Sequence, residues 1–166
     1  VLRVVLNVDT DTDGTYSEHF QWGMMSTAHG TDSLTSTDAI YGGLRLRPST
    51  RRVYLDYRDG AGTAYPSQMG GAGYGEVYTD TSDTGWETGV DRYYQLTRNS
   101  STTTELEIFS GGWSSSHQDA TRTIPSTVVD TDYIKFQNDN NNQYGSSVFD
   151  GTGDNVGYRD GVTAWS

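Results

Sequence analysis

Apolar and polar residues alternate with a period of two along the first third of the chain. At the start, one face carries Leu and Val while Arg3 and Asn7 lie on the other, and the pattern recurs in three later segments. Successive side chains of a strand point to opposite faces, so each segment is predicted to be a strand that buries one face. The predicted strands are 1–8, 16–25, 38–47 and 52–58. The residues predicted to face the core are Leu2, Val4, Leu6, Val8, Phe20, Trp22, Met24, Ile40, Leu44, Leu46, Val53, Leu55 and Tyr57.

The second half continues with strands and lacks helical spacing over any ten residues. A glycine-rich stretch over 59–75 separates the two halves. The later strands are predicted at 76–79, 92–98, 102–109, 132–138 and 148–162, with the short turn Asn99-Ser100-Ser101 between the second and third of these. Short strands with turns between them are typical of an antiparallel sandwich, and 166 residues fit a single domain.

Composition narrows the class of protein. Only 33% of the residues are hydrophobic, but 12% are aromatic, which indicates a folded β domain with a thin core rather than disorder. A net charge of −11 argues against nucleic acid and anionic membranes as partners. The chain has no cysteine for disulfides or thiolate metal sites, no apolar run near the ~20 residues of a membrane span, and no signal peptide.

The order of the last strands carries a family resemblance. A strand, a tight turn, a strand and a final segment with Asp150-Gly-Thr-Gly-Asp154-Asn155-Val156 resemble the concanavalin A-like, laminin-G-type jelly-roll superfamily. The resemblance implies a jelly-roll sandwich of two antiparallel sheets, in a class made mostly of extracellular binding modules. Such domains usually carry a strand before the one that begins here at Val1, and its loss would leave a sheet edge open.

Three carboxylates at alternate positions form the strongest local metal signal. Asp9, Asp11 and Asp13 precede Gly14 in a predicted turn, as at the opening of an EF-hand calcium loop. The twelfth position is Phe20 rather than Glu, so the full motif fails, and a solvated acidic hairpin is the alternative.

The resemblance implies two further calcium positions. Asp154, near the start of the final strand, matches the aspartate of a structural calcium in many jelly rolls of this type. Asp139, in an Asn-rich loop, lies where laminin-G-like domains hold calcium on the sandwich rim. Ordinary turn chemistry is the alternative for both residues.

Aromatic residues in polar loops are candidates for ligand contact. Trp86 and Trp113 lie among Gly, Ser and Thr, and Tyr74 and Tyr144 are also placed in loops. Exposed large apolar groups often mark a binding patch, and the apolar faces of sugar rings stack on Trp and Tyr. The alternative is that these loops fold back and bury their aromatics.

Arg45 and Arg47 belong to a basic hairpin in an otherwise acidic chain. Arginine pairs bidentately with carboxylate or sulfate, so the hairpin is a candidate site for an anionic glycan. Cross-strand pairing with Asp56 and other acidic residues is the alternative.

Glu105 and Glu107 are the only hint of catalysis. Jelly-roll glycosidases of the resembled superfamily carry an E-x-D-x-E strand, whereas the corresponding face here reads Glu105, Glu107 and Phe109. One catalytic carboxylate is missing. We therefore predict a plain outer strand face, with Leu106 and Ile108 toward the core, and no enzymatic activity.

Together these features predict a non-catalytic binding module at a cell or virion surface, lectin-like or adhesive, with a structural calcium. Its expected partner is a glycan or a surface protein. The first alternative is a structural subunit of a surface appendage, surface layer or virus particle, in which copies of the chain contact one another. A chain start inside a strand and a Thr/Ser/Asn-rich composition support that alternative. A glycan-degrading enzyme is the less favoured one.

Overall fold

Ten β-strands make up most of the part of the chain that the structure describes. The computed structural model describes residues 1–12, 18–26, 38–47, 50–59, 75–80, 89–109, 111–114, 117–129, 131–140 and 148–158, and no helix occurs in these ranges. The strands are β1 Leu2–Thr12, β2 Glu18–Met25, β3 Ala39–Arg47, β4 Thr50–Arg58, β5 Gly75–Asp80, β6 Arg92–Ser100, β7 Thr103–Phe109, β8 His117–Thr123, β9 Tyr133–Asn140 and β10 Val148–Tyr158.

The strands form two five-stranded sheets. Sheet A has the order β10-β1-β6-β7-β8, and sheet B has the order β5-β4-β3-β2-β9. Every neighbouring pair is antiparallel. The predicted all-β class with two antiparallel sheets is therefore confirmed.

One hydrophobic core draws on both sheets. It holds Leu2, Val4, Leu6 and Val8 of β1 together with Trp22, Met24, Ile40, Leu44, Val53 and Leu55 of sheet B, as the alternation predicted. Leu106 and Ile108 of β7 also lie in it, which confirms their inward orientation. The rings of Trp22 and Tyr94, one from each sheet, are 4.8 Å apart between centroids. The sheets thus pack as a β-sandwich does.

Among the described residues, Tyr94 is the only tyrosine that is fully buried in this core. Burial raises the pKa of Tyr94 well above its ordinary value, and the charge of Arg92 opposes that shift to a smaller extent. The phenol therefore stays neutral throughout the physiological pH range.

The outer face of sheet B carries a second, smaller cluster. Met25, Ala39, Tyr41 and Tyr54 are all buried there. The Gln21 Nε2 atom donates a hydrogen bond of 2.8 Å to the Tyr54 hydroxyl. Sheet B is therefore packed on both of its faces.

Glycines in β3 let large rings lie flat on the sheet. A Cβ atom on Gly42 would come within 2.8 Å of Cζ2 of Trp22, and one on Gly43 would collide with the Tyr54 ring. Only glycine leaves room for these rings at such close approach.

The first strand lies inside sheet A, next to the edge strand β10, so the open edge expected at the first strand does not occur there. Leu2 is opposite Leu96 on β6 and opposite Tyr158 on β10, so β1 has a hydrogen-bonded neighbour on each side. The turn predicted to begin at Asp9 is also wrong as far as Thr12. β1 continues to Thr12, which is opposite Val148 of β10. Pairing with the last strand outweighs the turn preference of aspartate.

Three further features of the strands differ from prediction. β9 continues to Asn140, opposite Glu18, so Asp139 lies in a strand rather than in the expected loop. β10 begins at Val148 as predicted, but Asp154 lies in the middle of this strand and not near its start. β8 was not predicted at all, because Ala120 is its only aliphatic residue.

Candidate functional site

The outer face of sheet A combines aromatic and charged side chains in two rows across the strands. One row aligns Arg3 on β1, Gln95 on β6 and Glu107 on β7. The neighbouring row aligns Val5, Tyr93 and Phe109. We use the name Trp113 face for the set Arg3, Tyr93, Gln95, Glu107, Phe109 and Trp113.

The polar row is joined by hydrogen bonds. Arg3 Nε donates to Gln95 Oε1 at 2.6 Å, and Gln95 Nε2 donates in turn to Glu107 Oε2. Gln95 is buried, whereas Arg3 and Glu107 are partly exposed. The buried amide therefore holds a cation and an anion in fixed positions on its two sides.

Trp113 covers the aromatic row. Its ring centroid is 5.2 Å from that of Tyr93 and 5.7 Å from that of Phe109, both in edge-to-face geometry. The Arg3 guanidinium carbon is 4.5 Å from the Trp113 ring centroid, within the range of a cation–π interaction. The Trp113 side chain is half-buried.

A glycine turn brings Trp113 back over the sheet. Gly112, directly before Trp113, has φ +120°, a conformation that side-chain-bearing residues rarely adopt. The segment 111–114 follows β7 and places the tryptophan over the strand it has just left. The position of Trp113, which the sequence predicted as a ligand contact, therefore depends on the backbone conformation of Gly112.

The Trp113 face combines two kinds of contact, apolar and hydrogen-bonding, that suit a ring-shaped ligand with several hydroxyls. The aromatic rings supply apolar contact, while the carboxylate of Glu107 accepts hydrogen bonds and the guanidinium of Arg3 donates them. Trp113 was predicted as a site residue, whereas Arg3, Gln95 and Tyr93 were not. Arg3 and Gln95 are separated by 92 positions in sequence. Their meeting depends on the pairing of β1 with β6.

The two glutamates of β7 both belong to the outer face, as predicted. The Asn99 side-chain amide donates to Glu105 Oε2 at 2.8 Å, and Gln95 donates to Glu107. Residues i and i+2 of a strand lie about 7 Å apart, wider than the ~5 Å between the carboxyls of a retaining glycosidase. Absence of catalysis stays a prediction.

The calcium candidates fall at separate places in the fold. Asp9 and Asp11 belong to β1, with a bulge between Val8 and Thr10, and Asp154 is opposite Val5 on the same strand pair. Six residues separate position 5 from position 11, which is roughly 20 Å along a strand. Asp139 is on β9, in the other sheet. One calcium ion therefore cannot be shared by Asp11, Asp154 and Asp139.

The basic hairpin forms between β3 and β4. Arg45 is opposite Arg52, and Arg47 is opposite Thr50. Asp56 is opposite Tyr41 and fully buried, so it is not the direct cross-strand partner of either arginine. Binding of an anionic group at Arg45 and Arg47 stays a prediction.

Several expectations concern residues outside the described ranges. Trp86, Tyr74, Tyr144 and Asp13 all lie there. Within the described part, no group of three or more His, Asp or Glu residues is arranged to hold a metal ion. In that part there is also no helix with the length and apolarity needed to cross a membrane.

The chain matches no family model, no curated protein and no solved structure.

Proposed function

We propose that this protein is a non-catalytic carbohydrate-binding module of the concanavalin A-like, laminin-G-type jelly-roll class, which acts in adhesion or recognition outside the cell or on a virion. The observation that carries the proposal is the Trp113 face. There a half-buried tryptophan lies over Tyr93 and Phe109, beside the hydrogen-bonded row Arg3–Gln95–Glu107.

Sugar recognition fits the chemistry of this face. A pyranose packs one C–H face on the exposed part of the indole, where apolar contact excludes water. Its hydroxyls then bond to Glu107 and Arg3, whose geometry is already held by Gln95. A site organised before binding loses less conformational entropy when the ligand arrives.

The test is a glycan array probed with the purified protein, in calcium and again with a chelator. The affinity for any glycan found is then measured for W113A, E107Q and the control variant S126A, at an exposed turn residue outside the Trp113 face. We expect W113A and E107Q each to weaken binding at least about ten-fold, or ~1.4 kcal/mol. S126A should leave the affinity unchanged, and binding that survives W113A would contradict this location of the site.

A structural calcium is part of the proposal. The candidate ligands are Asp9 and Asp11, at alternate positions of β1, together with Asp13, which follows them in sequence. Carboxylate oxygens are the ligands that Ca²⁺ prefers, so these residue types fit the ion. We expect calcium, but not magnesium, to raise the melting temperature, and D11N to abolish the difference. Equal melting temperatures with calcium and with chelator would argue against the ion.

A structural subunit of a surface assembly is the second candidate. The observation that favours it is β9, which is an edge strand of sheet B within the described residues and carries the exposed side chains of Tyr133 and Phe136, outside the Trp113 face.

A further inference from the structure

Three exposed large hydrophobic side chains lie close together in sequence at one border of sheet B. Val129 and Tyr133 are each 45% exposed, and Phe136 is 38% exposed. They are the large hydrophobics with this exposure among the described residues. Tyr133 and Phe136 are three positions apart on β9, so they lie on opposite faces of the same strand, where a neighbouring strand would cover part of both.

The same region is a regular sheet edge. β9 pairs with β2 along its whole length, from Tyr133 opposite Met25 to Asn140 opposite Glu18, without a bulge. On its other side no strand of the described ranges is hydrogen-bonded to β9. An unbulged edge of eight residues without proline is a template for pairing with another strand.

We propose that two copies of this chain associate through β9, edge to edge and antiparallel, with the two-fold axis at Gln137. Sheet B would then continue across the axis as one sheet of ten strands. The inference is independent of the proposed carbohydrate site, because the Trp113 face belongs to sheet A.

Charge complementarity selects this register. Lys135, the only lysine of the chain, and Asp139 are equally far from Gln137 in sequence. With the axis at Gln137, each Lys135 is therefore opposite Asp139 of the second copy, and two opposite-charge pairs form. An axis at Lys135 would instead bring two lysines face to face, and one at Asp139 would bring two carboxylates together, which is unfavourable.

The same register gives the exposed aromatic residue a partner on the other sheet face. Phe136 is opposite Trp22 on β2, and its ring is 6.4 Å from that of Phe20. With the axis at Gln137, Phe136 is opposite Asn138 of the second copy, so the two Phe136 rings become diagonal neighbours. Diagonal positions are roughly 7–8 Å apart, within reach of aromatic side chains.

Sedimentation of charge-swapped variants tests the proposal. Measurements at 0.15 M salt keep contact pairs effective while the repulsion between two chains of charge −11 is largely screened. We expect a concentration-dependent dimer for the unchanged chain. K135E and D139K should each weaken it roughly ten-fold or more, and the double variant K135E/D139K should restore it.

Melting temperatures of the same variants separate association from folding. If a single variant has a lowered melting temperature, its loss of dimerisation is compared with the double variant. The double variant recovers dimerisation only if the two residues are opposite each other across the axis. A monomer at every concentration up to about 1 mM would overturn the proposal, and would indicate that Lys135 protects the edge from pairing. Dimerisation that K135E and D139K leave unchanged would also overturn the proposal.

Crosslinking locates the axis. The chain has no cysteine, so a single introduced cysteine is the only thiol that a crosslinker can join. Q137C should be joined to its copy by a short bismaleimide, because directly opposite Cβ atoms are roughly 5 Å apart. The control is T121C, an exposed position on β8 at the edge of sheet A, which should stay uncrosslinked. Equal crosslinking at both positions, or none at Gln137, would contradict the arrangement.

Discussion

Replacement of Arg98 is expected to loosen one whole end of sheet A. Arg98 is half-buried on β6, and its guanidinium Nη2 donates to the backbone carbonyl of Val128, which is completely buried. Nη1 donates to Thr131 Oγ1 at 3.3 Å. Nε and Nη2 also donate to the carbonyls of Ser100 and Ser101, at 3.2 and 3.3 Å. One side chain therefore ties the segment after β8 to the β6–β7 hairpin.

The magnitude follows from these contacts. Leaving the buried Val128 carbonyl without a donor costs about 1–3 kcal/mol, and each of the more exposed bonds adds about 0.5 kcal/mol. We expect R98A to lower the free energy of unfolding by about 2.5–4.5 kcal/mol. For a chain of this size each kcal/mol shifts the melting temperature by roughly 2–4 °C.

Urea denaturation of a graded series measures the effect. T131A removes one long hydrogen bond and should cost least, at about 0.5–1 kcal/mol. R98K keeps the charge but loses the planar fork, so it should lie between T131A and R98A. The slope of the unfolding free energy against urea concentration should be unchanged in all three variants. Stability of R98A within about 0.5 kcal/mol of the parent, or equal effects of T131A and R98A, would refute the reasoning.

Two further predictions concern the packing of sheet B. G42A should destabilise by about 1–3 kcal/mol because the added methyl would overlap the Trp22 ring, whereas G111A, with open space around it, should stay near the parent value in the same urea assay. Comparable effects of the two glycine variants would contradict the packing argument. Y54F should cost about 1–2 kcal/mol, because the buried Gln21 amide loses its acceptor, and Q21A should abolish most of the additional effect in a double-mutant cycle.

The core positions of the sandwich could be predicted because alternation is a local signal. Leu2 and Trp22 follow it, and both are fully buried. β8 could not be predicted, since its sequence is polar and its strand structure depends on pairing with β7, from Thr103 opposite Thr123 onward. For the same reason the ends of β1 and β9 extend through Asp and Asn residues that alone favour turns.

The candidate site could be predicted only in part. Trp113 stands out in a polar loop, but which face of the molecule it covers depends on the turn at Gly112. Arg3 had no distinguishing feature beyond its place on the polar side of a strand. Its role follows from the alignment of β1, β6 and β7, which brings it to Gln95 and to Trp113. Contacts between such distant segments leave no short-range pattern.

The position of β1 between two strands from later in the chain has a consequence for how the chain folds. Its partners are β6, where Leu96 is opposite Leu2, and β10, where Tyr158 is opposite the same residue. During synthesis β1 therefore has neither partner strand, and its apolar face stays uncovered, until more than half of the polypeptide has been made. Long-range strand pairing is slow, so folding is expected in milliseconds to seconds rather than microseconds. Until β10 arrives, one side of β1 stays available to other strands, and a nascent chain cut short before residue 148 is the species most prone to aggregate.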